Sequence, residues 1–120
     1  MNRPEEALQR QVAAFLDIAL PDDAVWWHTP NQRGTRSKVE NMILKGLGTK
    51  AGIPDVMILY QGKLHCIELK AKGQYMSKAQ EEMRKRLMKA GAHYPVSMRT
   101  LDEVINILDF WDIPLRARAA

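Results

Sequence analysis

Two stretches of this 120-residue chain place acids and an amine where phosphate chemistry would use them. Ile53-Pro54-Asp55 opens the apolar run Val56-Met57-Ile58-Leu59-Tyr60, and Leu64-His65-Cys66-Ile67-Glu68-Leu69-Lys70 follows it. Side chains alternate along a strand, so Glu68 and Lys70 share one face while Ile67 and Leu69 take the other. A surface ion pair has no reason to sit inside Cys-Ile-Glu-Leu-Lys. With 12 residues between Asp55 and Glu68, and Gln61-Gly62 turning the chain, the two runs pair as a hairpin that brings both carboxylates to one end. Phosphodiester hydrolysis needs those parts. Carboxylates hold Mg²⁺ (or Mn²⁺), which keeps several waters. The ion acidifies a water and stabilises charge growing on the phosphate, and a neighbouring lysine adds its own charge. The reading takes Asp55, Glu68 and Lys70 as catalytic, with Asp55, Glu68 and the main-chain carbonyl of Ile67 as metal ligands.

The elements that must position this set follow from periodicity and punctuation. Leu8, Val12, Phe15, Leu16 and Ala19 recur at helical spacing over residues 4–20, ended by Pro21. Val25-Trp26-Trp27-His28 reads as a short strand, residues 38–45 as a short helix, and Gly46 to Gly52 as a loop. Ser77 opens a helix to about Ala90, in which Met83, Leu87 and Met88 are expected in the core. Tyr94 to Met98 reads as another strand and Leu101 to Phe110 as a last helix, with a basic tail from Pro114 expected to fray. The order α-β-(α)-β-β-α-β-α predicts one α/β domain over residues 1–120, a mixed sheet flanked by helices.

Composition narrows the partners. The chain is 46% hydrophobic and 27% charged, with a net charge of +4. No apolar run approaches the roughly 18 residues that cross a bilayer, so no membrane role is expected and the cytoplasm is the expected location. A single cysteine, Cys66, excludes an internal disulfide, and three scattered histidines argue against a structural zinc site. From Asn31 to Lys50 five cations (Arg33, Arg36, Lys38, Lys45, Lys50) face one acid, Glu40, among three glycines. Such a segment can follow a phosphate backbone, and it can equally be a solvated connection. The expected nucleic-acid contacts are Arg33, Arg36, Lys38, Lys50 and Lys72.

Gly52-Ile53-Pro54-Asp55, Ile67-Glu68-Leu69-Lys70 and Ser77-Lys78-Ala79-Gln80 together resemble the VRR-NUC branch of the PD-(D/E)xK nuclease superfamily. His28-Thr29-Pro30-Asn31, Lys50-Ala51-Gly52 and Ser97-Met98-Arg99-Thr100-Leu101-Asp102-Glu103 are similar to further stretches of that family. The resemblance covers nearly the whole chain and is specific in combination. It implies a restriction-endonuclease-like core, Mg²⁺- or Mn²⁺-dependent endonuclease activity on DNA, and the stand-alone form found in phages and bacteria, whose fold is similar to Holliday-junction resolvases. It also implies a metal-binding glutamate in the first helix. At roughly 100° per residue, Glu5 lies about 35° from the centre of the apolar face and Glu6 about 135°, which selects Glu5. Ser77-x-x-Gln80 is a capping box, and the resemblance adds Gln80 to the catalytic set; the two roles are compatible.

Branched DNA and a homodimer complete the expectation, because symmetric cutting of a junction needs two sites related by a two-fold axis. Trp26 or Trp27, Phe110-Trp111 and Ile113-Pro114-Leu115 are the candidate interface residues. The competing readings are a non-catalytic DNA-binding module and a structural subunit of a nucleic-acid-processing complex.

Overall fold

The computed structural model describes residues 3–30 and 37–118. Helix α1 (Arg3–Ala19) buries Leu8, Val12, Phe15, Leu16 and Ala19, the residues of its apolar stripe. Strand β1 (Ala24–His28) pairs antiparallel with β2 (Val56–Tyr60), which pairs antiparallel with β3 (Lys63–Ile67). The β2–β3 turn has Gln61 at φ 49° and Gly62 at φ 76°. Two successive left-handed residues match the strands' twist in a two-residue hairpin, and this sets Val56 opposite Ile67.

One sheet face carries Val56, Ile58, Ile67 and Leu69, all fully buried. They join α1 and the inner residues Val104, Ile105 and Leu108 of helix α4 (Leu101–Phe110) in a single core. The opposite face of β3 carries Cys66, Glu68 and Lys70. A Ser37 capping box starts helix α2 (Lys38–Gly46), which buries none of its residues. A Ser77 capping box starts helix α3 (Lys78–Lys89), whose one buried residue is Gln80.

The expected strand from Tyr94 to Met98 is instead a bulged segment running parallel to β3. Bridges join His65 to His93 and Leu69 to Met98, so the outer segment spans its contacts with one residue more than β3 does. Pro95 lacks the N–H that a continuous ladder needs. The Arg84 Nε donates to the carbonyls of Tyr94 and Pro95, which takes the place of ladder bonds there. The sheet β1-β2-β3 is therefore antiparallel throughout, and the mixed sheet expected from the element order is reduced to two isolated parallel bridges on its β3 edge.

Two other expectations are corrected by packing. Met88 is 46% exposed, and Met83 and Leu87 are only partly buried and outside the core cluster, so the apolar residues of α3 do not join the core as expected. The tail does not fray as far as residue 118. Arg116 donates its backbone N–H to Ala19 and pairs with Asp22, while Arg118 grips Asp109 through two nitrogens.

Gly52 fixes the distance between the loop before β2 and α3. Its φ is +79°, and a Cβ there would run into the main-chain carbonyl of Ala79 in the first turn of α3. Gly52→Ala should cost on the order of 2–3 kcal/mol, from the left-handed backbone and the displaced helix. Gly46→Ala, where a Cβ meets nothing within 4 Å, should be neutral or slightly stabilising. Urea unfolding of the two variants checks this; equal stabilities would mean that α3 is free to shift.

Candidate active site

β3 continues past Ile67 as an extended chain held between Asp55 and the bulged segment. Met98 donates its N–H to the Glu68 carbonyl, and Lys70 donates to the Met98 carbonyl. On the other edge the Asp55 carboxylate accepts the Leu69 N–H at 2.9 Å. Asp55 is fixed in turn by its own carbonyl, which takes the Thr29 N–H and lies 2.8 Å from His28 Nδ1. These backbone clamps give Asp55, Glu68 and Lys70 little freedom.

The side chains then meet in the interior. Lys70 Nζ lies 3.3 Å from Glu68 Oε2, with both residues almost fully buried. Gln80 Nε2 donates to the same oxygen at 2.9 Å. Gln80 Oε1 is already taken by the Ser77 N–H, so the capping box orients the amide and turns its NH₂ toward Glu68. Helix start and site contact are one arrangement.

Among the described residues Glu68 Oε1 has no hydrogen-bond donor, although it is buried, and the Asp55 carboxyl is within reach to share a proton with Glu68. A carboxylate oxygen left so in an apolar interior is costly unless it carries a proton or meets a cation. Burial first, and the Asp55 charge second, push Glu68 up to about 8 against the pull of Lys70. Asp55 is raised too, by burial and by Glu5, while the Leu69 N–H holds it down. Two carboxyls packed together with one lysine form a site that favours a proton or a divalent ion.

Glu5 is half-buried on α1 and close enough for its charge to be felt at Asp55. Glu6 is exposed and pairs with Arg10 at 3.2 Å. Among the described residues no group of three or more His, Cys, Asp or Glu side chains converges as a complete metal cage. The donor set is two carboxylates with main-chain oxygens at hand. Ile67 stands at the last rung of the β2–β3 ladder, opposite Val56. Leu69, one pleat beyond, has its N–H on Asp55 and presents its carbonyl along that same edge. Mg²⁺ suits such a set, since it takes one or two carboxylates and keeps its waters.

A cavity of about 960 Å³ opens over this centre, with Lys70 and Gln80 in its lining. Thr29, Lys45 and Lys50 stand around it. Lys50 is expected there from sequence; Lys45 is not, although it belongs to the same basic run. Lys38 and Lys72 are exposed and do not line the cavity. Arg33 and Arg36 lie outside the described residues. Tyr94 is a further residue that sequence reasoning misses. Among the described residues its buried hydroxyl has no partner, and burial, with the Glu68 charge, raises its pKa. In sequence it is one more aromatic in a strand-like run, with nothing to mark its approach to Glu68.

The Glu68 shift has a sign in stability. Between the ordinary carboxyl value of 4.5 and about 8, the folded state holds a proton that the unfolded chain has released. Raising pH through that window therefore destabilises the metal-free protein. Its melting temperature should fall from pH 5 to pH 8.5, and Glu68→Gln should flatten that fall. A melting temperature that rises over this range would contradict the burial of an uncompensated carboxyl.

Comparison with known proteins gives a fold. No family model matches the chain, and no curated protein matches it. A solved structure described as a VRR_NUC domain protein superposes with a TM-score of 0.69 at 23% identity, covering 92% of this chain and 90% of that one. Among the described residues no helix is long and apolar enough to cross a membrane. The chain has the fold of a VRR_NUC domain protein, the fold that Pro54-Asp55 and Glu68-Leu69-Lys70 implied by resemblance.

Proposed function

We propose that this protein is a Mg²⁺- or Mn²⁺-dependent endonuclease that hydrolyses phosphodiester bonds in DNA. The observation that carries the reading is the partnerless Glu68 Oε1 beside Asp55, in a buried centre that reaches a cavity through Lys70. A structural ion pair would leave no carboxylate oxygen idle and would not need a second acid.

Asp55 and Glu68 are the side-chain ligands in this reading, with Glu5 contributing from α1. The main-chain carbonyl of Ile67, as expected from sequence, or that of Leu69 on the same edge as Asp55 completes the set. The ion, when bound, polarises the phosphate and acidifies a water. The protein's own groups do the rest. Lys70 orients the attacking water and places a positive charge against the phosphate, where charge accumulates in the transition state. Gln80 keeps Glu68 in one rotamer, its amide locked by Ser77. Lys45 and Lys50 hold the DNA backbone over the cavity, joined by Arg33, Arg36, Lys38 and Lys72 along the flanking strand.

Branched DNA is the proposed substrate class and a homodimer the proposed form. Ile113, from the expected interface patch, is 1% exposed and belongs to the core, and Trp26 turns inward with its indole N–H on Asp17. Of the expected patch, Trp27 on β1 and Phe110 at the end of α4 stay exposed, and Val39, Met42, Ile43 and Leu47 on and just after α2 add apolar surface that the sequence did not single out. Sedimentation at micromolar concentration should give a dimer. A monomer that cuts linear duplex as readily as a junction would remove both proposals.

Cleavage of labelled DNA with Mg²⁺ or Mn²⁺ tests the activity. Asp55→Asn, Glu68→Gln and Lys70→Ala should each lower the rate by on the order of 100-fold or more. Glu5→Gln should harm metal-dependent cleavage far more than Glu6→Gln. Full activity in Asp55→Asn would overturn the reading, and DNA binding without any cleavage would leave a binding module.

DNA binding should weaken steeply with salt. Lys45→Gln with Lys50→Gln should reduce the slope of log affinity against log salt by about 0.9 for each phosphate that the protein no longer neutralises. An unchanged slope would assign both lysines to solvent.

A further inference from the structure

The loop between β3 and α3 carries a large aromatic side chain that the core does not use. Tyr75 is 77% exposed, yet it is not loose on the surface. The Arg99 guanidinium carbon lies 5.1 Å from its ring centroid. Arg99 is itself anchored, donating from its side chain to the Ala71 carbonyl and from its backbone N–H to Glu103. One side of the ring is therefore backed by a fixed cation, and most of the ring stays open to solvent.

Its position is as informative as its exposure. Tyr75 lines the cavity over Lys70 and Gln80 and also lines a second cavity of about 550 Å³. That second space carries Arg84, Lys85 and Arg99 against a single acid, Glu81. Arg84 spends its Nε on the Tyr94 and Pro95 carbonyls, and Arg99 spends one terminal nitrogen on the Ala71 carbonyl. Lys85 and the remaining N–H groups of Arg99, the guanidinium beside Tyr75, are therefore the donors that can meet a phosphate there. A volume of this size accepts one nucleotide-sized group. Tyr75 is the shared wall between the catalytic space and a basic pocket beside it.

We propose that Tyr75 is a stacking platform for an unpaired base next to the scissile phosphate, with that nucleotide's backbone drawn into the Lys85–Arg99 pocket. The inference rests on the nuclease reading and narrows its substrate to DNA with an unpaired nucleotide at the cut. Every base has a π-face, so an aromatic ring backed by a guanidinium selects for an available base without selecting its sequence. A base held in a duplex cannot leave its neighbours without loss of stacking and pairing, whereas a base at a branch or bulge is already free. A preference for branched DNA then arises inside one subunit.

The test uses a short duplex with 2-aminopurine as a single unpaired nucleotide, titrated with metal-free protein so that cleavage plays no part. Stacking on Tyr75 should quench the probe. Tyr75→Phe should quench as the wild type does, because the ring makes the contact. Tyr75→Ala should lose the quench and bind this DNA at least tenfold more weakly. With Mn²⁺, the wild type should show a lower KM for the unpaired substrate than for the fully paired one. That KM ratio should shrink at least tenfold in Tyr75→Ala. Equal quenching by wild type and Tyr75→Ala would overturn the proposal, and so would a Tyr75→Phe variant as impaired as Tyr75→Ala. If Tyr75-dependent quenching occurs but the wild type cleaves neither DNA, the stacking role stands and the nuclease reading falls.

Discussion

Glu68 and Lys70 are buried side by side in a layer that small domains normally fill with aliphatic side chains, and much of the architecture follows from making that tolerable. Removing two charges from water costs several kcal/mol per ion, and their mutual attraction offsets it only if further hydrogen bonds complete the geometry. Gln80 supplies one such bond to Glu68 Oε2, and Asp55 anchors the strand between the two residues by taking the Leu69 N–H. The compensation stops short at Glu68 Oε1. A domain that had evolved for stability alone would pair this oxygen or replace the pair with leucine and methionine.

Helix α3 makes sense in that light. It buries only Gln80, so its contribution to the core is small. Its first turn is instead held against the loop before β2, where Gly52 lets backbone meet backbone, and Ser77 fixes the Gln80 amide. The bulge opposite β3 serves the same end. Met98 clamps Glu68 and Lys70 through the backbone, while the irregular turn at Pro95 brings Tyr94 in from outside the ladder. The strong apolar packing of α1 and α4 lies on the other face of the sheet. One layer carries stability and the other carries the polar centre.

Much of this is legible in sequence because it is periodic. Alternation places Glu68 and Lys70 on a common face, the Gln61-Gly62 turn sets the hairpin register, and helical spacing separates Glu5 from Glu6. The capping box announces both the start of α3 and the position of Gln80. What escapes depends on contacts between distant segments. The Gly52–Ala79 approach, the Arg84 bonds that replace a ladder at Pro95, and the Arg116 and Arg118 anchors of the tail leave no local pattern. Lys45 and Tyr94 escape for the same reason, since a lysine in a basic run and a tyrosine in a strand-like run look alike wherever they point. Met83, Leu87 and Met88 are misplaced because helical periodicity identifies an apolar face without saying whether the core reaches it.

In the proposed nuclease the idle oxygen of Glu68 and the carboxylate of Asp55 form a divalent-ion site. Calorimetric titration of Mn²⁺ into the protein without DNA tests it most directly, since neither turnover nor substrate choice enters the readout. Saturable binding is expected in the wild type, abolished by Glu68→Gln and by Asp55→Asn and retained in Cys66→Ser, which changes a buried neighbour on the same face without touching a ligand. Binding that survives unchanged in both carboxylate variants, or no binding by the wild type, would contradict it.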